Sequence, residues 1–368
     1  MSVFLWSVAV LGYVVQTKCI SHMVFTSQQN VSPFYLTFVH LSSWLLVLPL
    51  TQLFFRVKYG LVHGRSMWSI PQLSSEETEF DTEAQEEQQP EKRFSIWVHA
   101  IKIAGLAILL SLGYYTYFTS IKLSPALDIA IIHNISKFEI CSLLLGVCGI
   151  SSRRHLFKNY VLLVTILVGV LIVSYTKATC DFLAGKLSVN AETGELTDPF
   201  LFDRLKGALI CGLGALVNGP ATVLWNKWIV SSFFSDKRQK SRLYHSFMLN
   251  YQVSLVGVAC LVLLGPILII YCRDESLLGG FAQNSGLLLA SIFLGNIPMI
   301  LAFVHLSEKS CPEFATTCYM GSIIATAISD WLAESGGSII TRWEVIGYFL
   351  ISIGGVILGF NYRSQKNC

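Results

Sequence analysis

Charge is what this sequence has least of. Asp, Glu, Lys and Arg make up 13% of its 368 residues, about half of what a soluble domain carries, while 53% are hydrophobic and the mean hydropathy is +0.58. That balance excludes an ordinary water-soluble core. The net charge of +3 leaves no basic field to hold nucleic acid. Ten cysteines form no disulfide framework in a chain this long. Cys141, Cys148, Cys211, Cys260 and Cys318 lie in apolar runs, where a thiol is a small, soft hydrophobe. Clustered Cys or His at metal-ligand spacing is missing, as are a Walker sequence, a GxSxG element and an HExxH motif. The sequence therefore implies no enzyme, no cofactor, no metal and no ATP-driven step.

What is there, in quantity, is long apolar runs. A helix must run about 20 residues to cross the hydrocarbon. Ten stretches reach or approach that length: 3–24, 35–55, 96–118, 124–148, 159–176, 207–231, 247–271, 282–304, 311–332 and 343–361. The first has no basic leader and runs too long for a cleaved signal, so it reads as a retained anchor. With the N-terminus in the cytosol, fifteen basic residues fall in cytosolic loops and seven on the other side, as the positive-inside rule requires. The expected fold is an all-α integral membrane protein of ten transmembrane helices with both termini cytosolic.

Two loops divide the chain. Residues 74–91, inside the cytosolic loop 57–94, carry eight acidic side chains and one aromatic; too little apolar surface is present to offset ordering, so disorder is expected. Residues 177–205 form a non-cytosolic connection between 1–176 and 206–368, with five spans on each side. The halves echo one another, IKLSPA at 121–126 against VHLSEKS at 304–310 and LVGVLIVSY at 167–175 against IGGVILGFN at 353–361. Five-span repeats insert in opposite orientations, which predicts two inverted five-helix repeats around a central site.

Polar groups inside the spans are the candidate site. The stretch AIIHNISKFEI at 130–140 puts His133 and Lys137 at i, i+4 on one face, with Asn134 beside them. Glu139 is turned about 200° from Lys137, and Asp128 returns to nearly the azimuth of Glu139. A helix polar on two sides belongs against protein or a water-filled cavity, not lipid. His133, Asn134, Lys137, Asn218, Lys227 and Asn296 are the candidate substrate-binding residues; Asp128 and Glu139 are candidates for a proton relay or a structural role. The competing reading is that these groups satisfy one another across helices as structural glue. Asn134–Ile135–Ser136 matches a glycosylation sequon but lies within a span.

The sequence resembles the drug/metabolite transporter superfamily, and within it the solute carrier 35 group, most like its F-type and related fungal EamA-like membrane proteins. The resemblance rests on the five-plus-five spans, on PFYLTFVHLSSWLLVLP at 33–49, on SIKLSPALDIAIIHNISKFEICSLLLG at 120–146 and on IIATAISDWL at 323–332. It implies that the fourth and ninth spans line a central cavity. The fourth span of that group is commonly Ser/Thr-rich and uncharged, whereas this one carries His133, Lys137 and Glu139.

The function expected on these grounds is secondary transport of a small polar, anionic or zwitterionic metabolite across an organellar membrane by alternating access. The alternative is a non-transporting membrane adaptor or receptor that uses the acidic loop to bind partners. The expected surroundings are a vacuolar or Golgi/ER membrane rather than the plasma membrane. The expected partners are a small-molecule substrate and the lipid bilayer, with the chain a monomer or homodimer.

Overall fold

A backbone that crosses hydrocarbon must satisfy its own N–H and C=O groups, and helices do so within one segment. The computed structural model is accordingly helical throughout its described residues, which are 2–26, 31–63, 89–148, 199–230, 242–271, 281–310 and 312–333, with isolated positions at 165, 168, 346, 349, 350, 353 and 357. Helix α1 covers Ser2–Thr26. Pro33 opens α2 (Pro33–Ser42), at a position where its missing N–H breaks no bond; a 3₁₀ turn, Ser43–Leu46, then leads into α3 (Val47–His63). Helix α4 (Gln89–Leu123) stops before Pro125, which cannot continue its ladder, and α5 (Ala126–Val147) follows. Helix α6 (Pro199–Trp225) ends in a π-helical turn at Asn226–Val230, and α7 spans Arg242–Tyr271. Helix α8 (Phe281–Ala290) passes through a second π turn, Ser291–Asn296, into α9 (Ile297–Lys309). Helix α10 is Pro312–Ala333.

These elements make eight rods, because α2–α3 and α8–α9 are each continuous. Six are long and apolar enough to cross a membrane: Ser2–Phe25, Pro33–Val57, Trp97–Leu123, Lys206–Val230, His245–Ile270 and Ser285–Lys309. The chain is a multi-pass membrane protein. The expectation of ten spans in two inverted five-helix repeats is corrected by this count among the described residues. The physical reason lies in α5 and α10. They form as helices but carry Asp128, His133, Asn134, Lys137 and Glu139, and Glu313 and Asp330, so neither is among the six charge-poor rods of membrane length. Apart from isolated helical positions, the spans expected at 159–176 and 343–361 lie outside the described residues, as do 74–88 of the acidic stretch and most of the 177–205 connection, while 89–91 open α4.

The rods close a ring. Helix α4 packs along α6, α6 along α5, α5 along α10, α10 along α9, α9 along α1, and α1 returns to α4. Lipid supplies no hydrophobic drive between helices, so close packing and hydrogen bonds hold the ring. At the crossing of α1 with the second π turn the backbones nearly touch: a Cβ at Gly12 would stand 2.8 Å from the Gly295 carbonyl, and one at Gly295 would stand 2.9 Å from Gln16. The largest apolar cluster includes Leu36, Leu41, Trp44, Phe118, Ile129 and Val253 and so joins α2, α4, α5 and α7. A second cluster, with Ala9, Leu306 and Cys318, joins α1, α9 and α10.

A polar clamp ties α2 to the second π turn. The Asn296 amide donates to the His40 carbonyl at 2.7 Å and to Ser43 Oγ at 3.0 Å. Its oxygen accepts from Trp44 Nε1 at 3.3 Å and from the Tyr114 hydroxyl at 3.4 Å. Beside it, His40 bonds the Leu36 carbonyl through Nδ1 and Ser291 Oγ through Nε2. Both polar ends of Asn296 are thus occupied in a fully buried position.

Candidate functional site

The ring surrounds a cavity of about 100 Å³, well above the space one water needs. Each wall comes from a different rod. Tyr13 and Gln16 project from α1, Trp44 from the 3₁₀ turn, Tyr114 and Tyr117 from α4, His133, Asn134 and Lys137 from α5, Asn218 and Trp225 from α6, and Tyr319 from α10. Positions 133, 134 and 137 share one face of α5 at helical spacing. Gly113 lets α6 come in close enough to place Asn218 there, because a Cβ at Gly113 would overlap the Asn218 amide.

The polar atoms of this cavity are conspicuously unanswered. His133 Nδ1 and Nε2, both amide atoms of Asn134, Asn218 Oδ1, Gln16 Oε1, Trp225 Nε1 and the Tyr13 hydroxyl are buried with no hydrogen bond of 3.5 Å or less among the described residues, although Asn134 lies near both His133 and Tyr13. Buried polar groups in native interiors are almost always hydrogen-bonded, so whatever fills this cavity, water included, must supply their partners. Here they converge on one cavity.

Aromatic rings hold the polar groups in place. The His133 ring lies against Tyr117, centroids 4.7 Å apart. Thr17 gives its proton to the Tyr13 carbonyl at 2.8 Å, so the Tyr117 hydroxyl donates to Thr17 Oγ1 at 2.6 Å. Lys137 Nζ stands 4.8 Å from the centroid of Tyr319, whose ring stacks on Phe303. Among the described residues no carboxylate pairs with Lys137; the ion pairs there are Lys18 with Asp330 and His305 with Glu308. An ammonium held in the ring interior with only a π face for company is the main electrostatic feature of the site.

Of the candidate site residues, the structure brings His133, Asn134, Lys137 and Asn218 together around the cavity. Asn296 is placed instead in the clamp that joins α2 to the second π turn, and Lys227 sits exposed on the first π turn. Asp128 and Glu139 are part-buried and are not among the lining residues. Sequence reasoning missed Gln16, although an amide in the middle of an apolar run is the same signal that singled out Asn134. It also missed Tyr13, Tyr117, Trp225 and Tyr319, for which no signal existed among 14 tyrosines and 8 tryptophans.

The sequence pattern of the ceramide synthase regulator family, CSG2, matches residues 1–362. The chain belongs to that family. Its similarity to a curated member is equally extensive: the mannosyl phosphorylinositol ceramide synthase regulatory protein CSG2 of Saccharomyces cerevisiae is 35% identical over 412 residues, covering 98% of each chain. A solved structure, described only as the crystal structure of a protein, covers 98% of both chains at 14% identity and a TM-score of 0.42, too distant to carry an argument.

Membership in the ceramide synthase regulator family corrects the resemblance to the drug/metabolite transporter superfamily and the solute carrier 35 group, and with it the expectation of a transporter. The segments that carried that resemblance are largely apolar helical runs, one of them broken at Ser124–Pro125. Any polytopic membrane helix must satisfy those constraints, so they discriminate poorly between families. The non-transporting alternative fits the family better.

Proposed function

We propose that this chain is a non-catalytic, membrane-embedded regulatory subunit of a synthase that makes mannosyl phosphorylinositol ceramide. The observation that carries the proposal is the 35% identity to a regulatory protein of that synthase across 98% of both chains. The chain's partner on this reading is the catalytic synthase subunit, within an ER or Golgi membrane, and its contribution is binding and conformational bias rather than bond making.

The test is direct. Membranes lacking their own regulator are assayed for mannosyl transfer to phosphorylinositol ceramide, with and without this chain, and tagged chain is purified in mild detergent. Restored transfer together with co-purification of the synthase is the expected result. Transfer that is indifferent to the chain refutes the proposal, as does mannosyl transfer by the isolated chain. The family's own description names ceramide synthase; acylation of a sphingoid base, followed in the same membranes, discriminates that second reading.

A further inference from the structure

We infer that the central cavity is a binding site for a small, polyhydroxylated monoanion. This goes beyond the regulatory reading, since it concerns what the chain itself holds.

The argument is one of complementarity. Lys137 brings one positive charge that no carboxylate among the described residues neutralises, which calls for one negative charge. Asn218 Oδ1 and Gln16 Oε1 are buried acceptors that lack donors, while Trp225 Nε1 and the Asn134 amide nitrogen are buried donors that lack acceptors. Each of these side chains is more than nine-tenths buried and lines the cavity. A set that needs both donors and acceptors is answered by hydroxyl groups, which do both. The flat faces of Tyr117 and Tyr319 on the same walls suit the C–H faces of a sugar or cyclitol ring.

Single simpler occupants each leave one demand unmet. Chloride balances Lys137 but only accepts, so Asn218 and Gln16 would need waters beside it as donors. Water or a neutral polyol answers the amides but leaves the ammonium uncompensated. A polyol bearing one phosphodiester or carboxylate meets both demands. Such a group occurs in soluble metabolites and in the headgroups of inositol-bearing lipids, and the chemistry is the same in both.

The test uses the full chain. Thermal unfolding of detergent-purified protein is followed with glycerophosphoinositol, glucuronate, neutral myo-inositol and sodium chloride. Saturable stabilisation by one or both organic anions is expected, at affinities roughly tenfold or more above those for inositol, with chloride inert. Lys137→Met removes that selectivity, and Lys137→Arg keeps binding within a few-fold. Repeating the measurement in nanodiscs of phosphatidylcholine, with and without phosphatidylinositol, separates the sources. Stabilisation by glycerophosphoinositol in plain nanodiscs identifies an aqueous ligand, and stabilisation by phosphatidylinositol alone identifies a lipid headgroup. Equal shifts from inositol and the anions, a shift from sodium chloride as large as theirs, no shift from any probe, or undiminished selectivity in Lys137→Met overturns the inference and leaves Lys137 a packing residue. Because binding is read on the isolated chain, its failure is separate from any failure of synthase regulation.

Discussion

Lys137 and Tyr319 meet across the boundary between α5 and α10, with the ammonium 4.8 Å from the ring centroid. The contact joins the two rods that are not among the six apolar helices of membrane length. A cation–π contact is worth about 0.5–2 kcal/mol depending on solvation, and it leaves the formal charge of a part-buried Lys137 in place. The pair therefore positions the charge without neutralising it.

The ring, not the hydroxyl, is what Tyr319 contributes to that pair. Tyr319→Phe should leave thermal stability nearly unchanged. Tyr319→Leu loses both the Lys137 contact and the stack on Phe303, and should cost roughly 2–3 kcal/mol. Melting curves of the two variants in one detergent check this; equal losses would show that the hydroxyl matters more than the face.

Asn296 holds four groups at once. Asn296→Ala leaves the Trp44 and Tyr114 donors and the His40 carbonyl buried without it, at about 2–4 kcal/mol. Asn296→Asp keeps the acceptor and loses the donor, so it should be damaging in its own right, through a buried carboxylate. Unfolding of both variants below the wild-type temperature is the expected outcome, and a silent Asn296→Ala would remove the clamp from the account of the fold.

Two glycines make a matched test of helix approach. Gly12 lies against the Gly295 carbonyl, whereas a Cβ at Gly212 meets nothing within 4 Å. Gly12→Ala should push α1 off the second π turn and destabilise by about 1–3 kcal/mol. Gly212→Ala should instead gain up to ~1 kcal/mol of helix propensity. Opposite signs in paired melting experiments bear this out.

Lys18 on α1 pairs with Asp330 on α10, both side chains part-exposed. Lys18→Asp and Asp330→Lys should each destabilise by up to about 1 kcal/mol, and the double reversal should recover most of it. A double-mutant cycle measures that coupling; additive losses would mean that the two charges ignore one another.

The polar groups of α5 were legible in the sequence, because a histidine, an amide and a lysine in an apolar run stand out and helical spacing alone sets three of them on one face. That Glu139 points elsewhere than Lys137 follows from the same geometry. The span count was less legible, since a helix that faces protein can carry ionisable groups that lower its apolarity without losing its helical form. Family identity was misread, because the segments compared were constrained by the bilayer more than by function.

By itself, then, the sequence determined a helical, multi-pass membrane protein with an amide–histidine–lysine face on one helix; hydropathy and a 3.6-residue period are local properties that need no partners. Only the tertiary structure decided what that face meets. It is the closing of α1, α4, α5, α6, α9 and α10 into a ring that sets Gln16, Asn218, Trp225 and Tyr319 opposite His133 and Lys137, and the same packing that takes Asn296 into a clamp and leaves Lys227 outside. Convergence of side chains from separate rods depends on how closely backbones approach, and glycines such as Gly113 and Gly12 mark those approaches only once their neighbours are known.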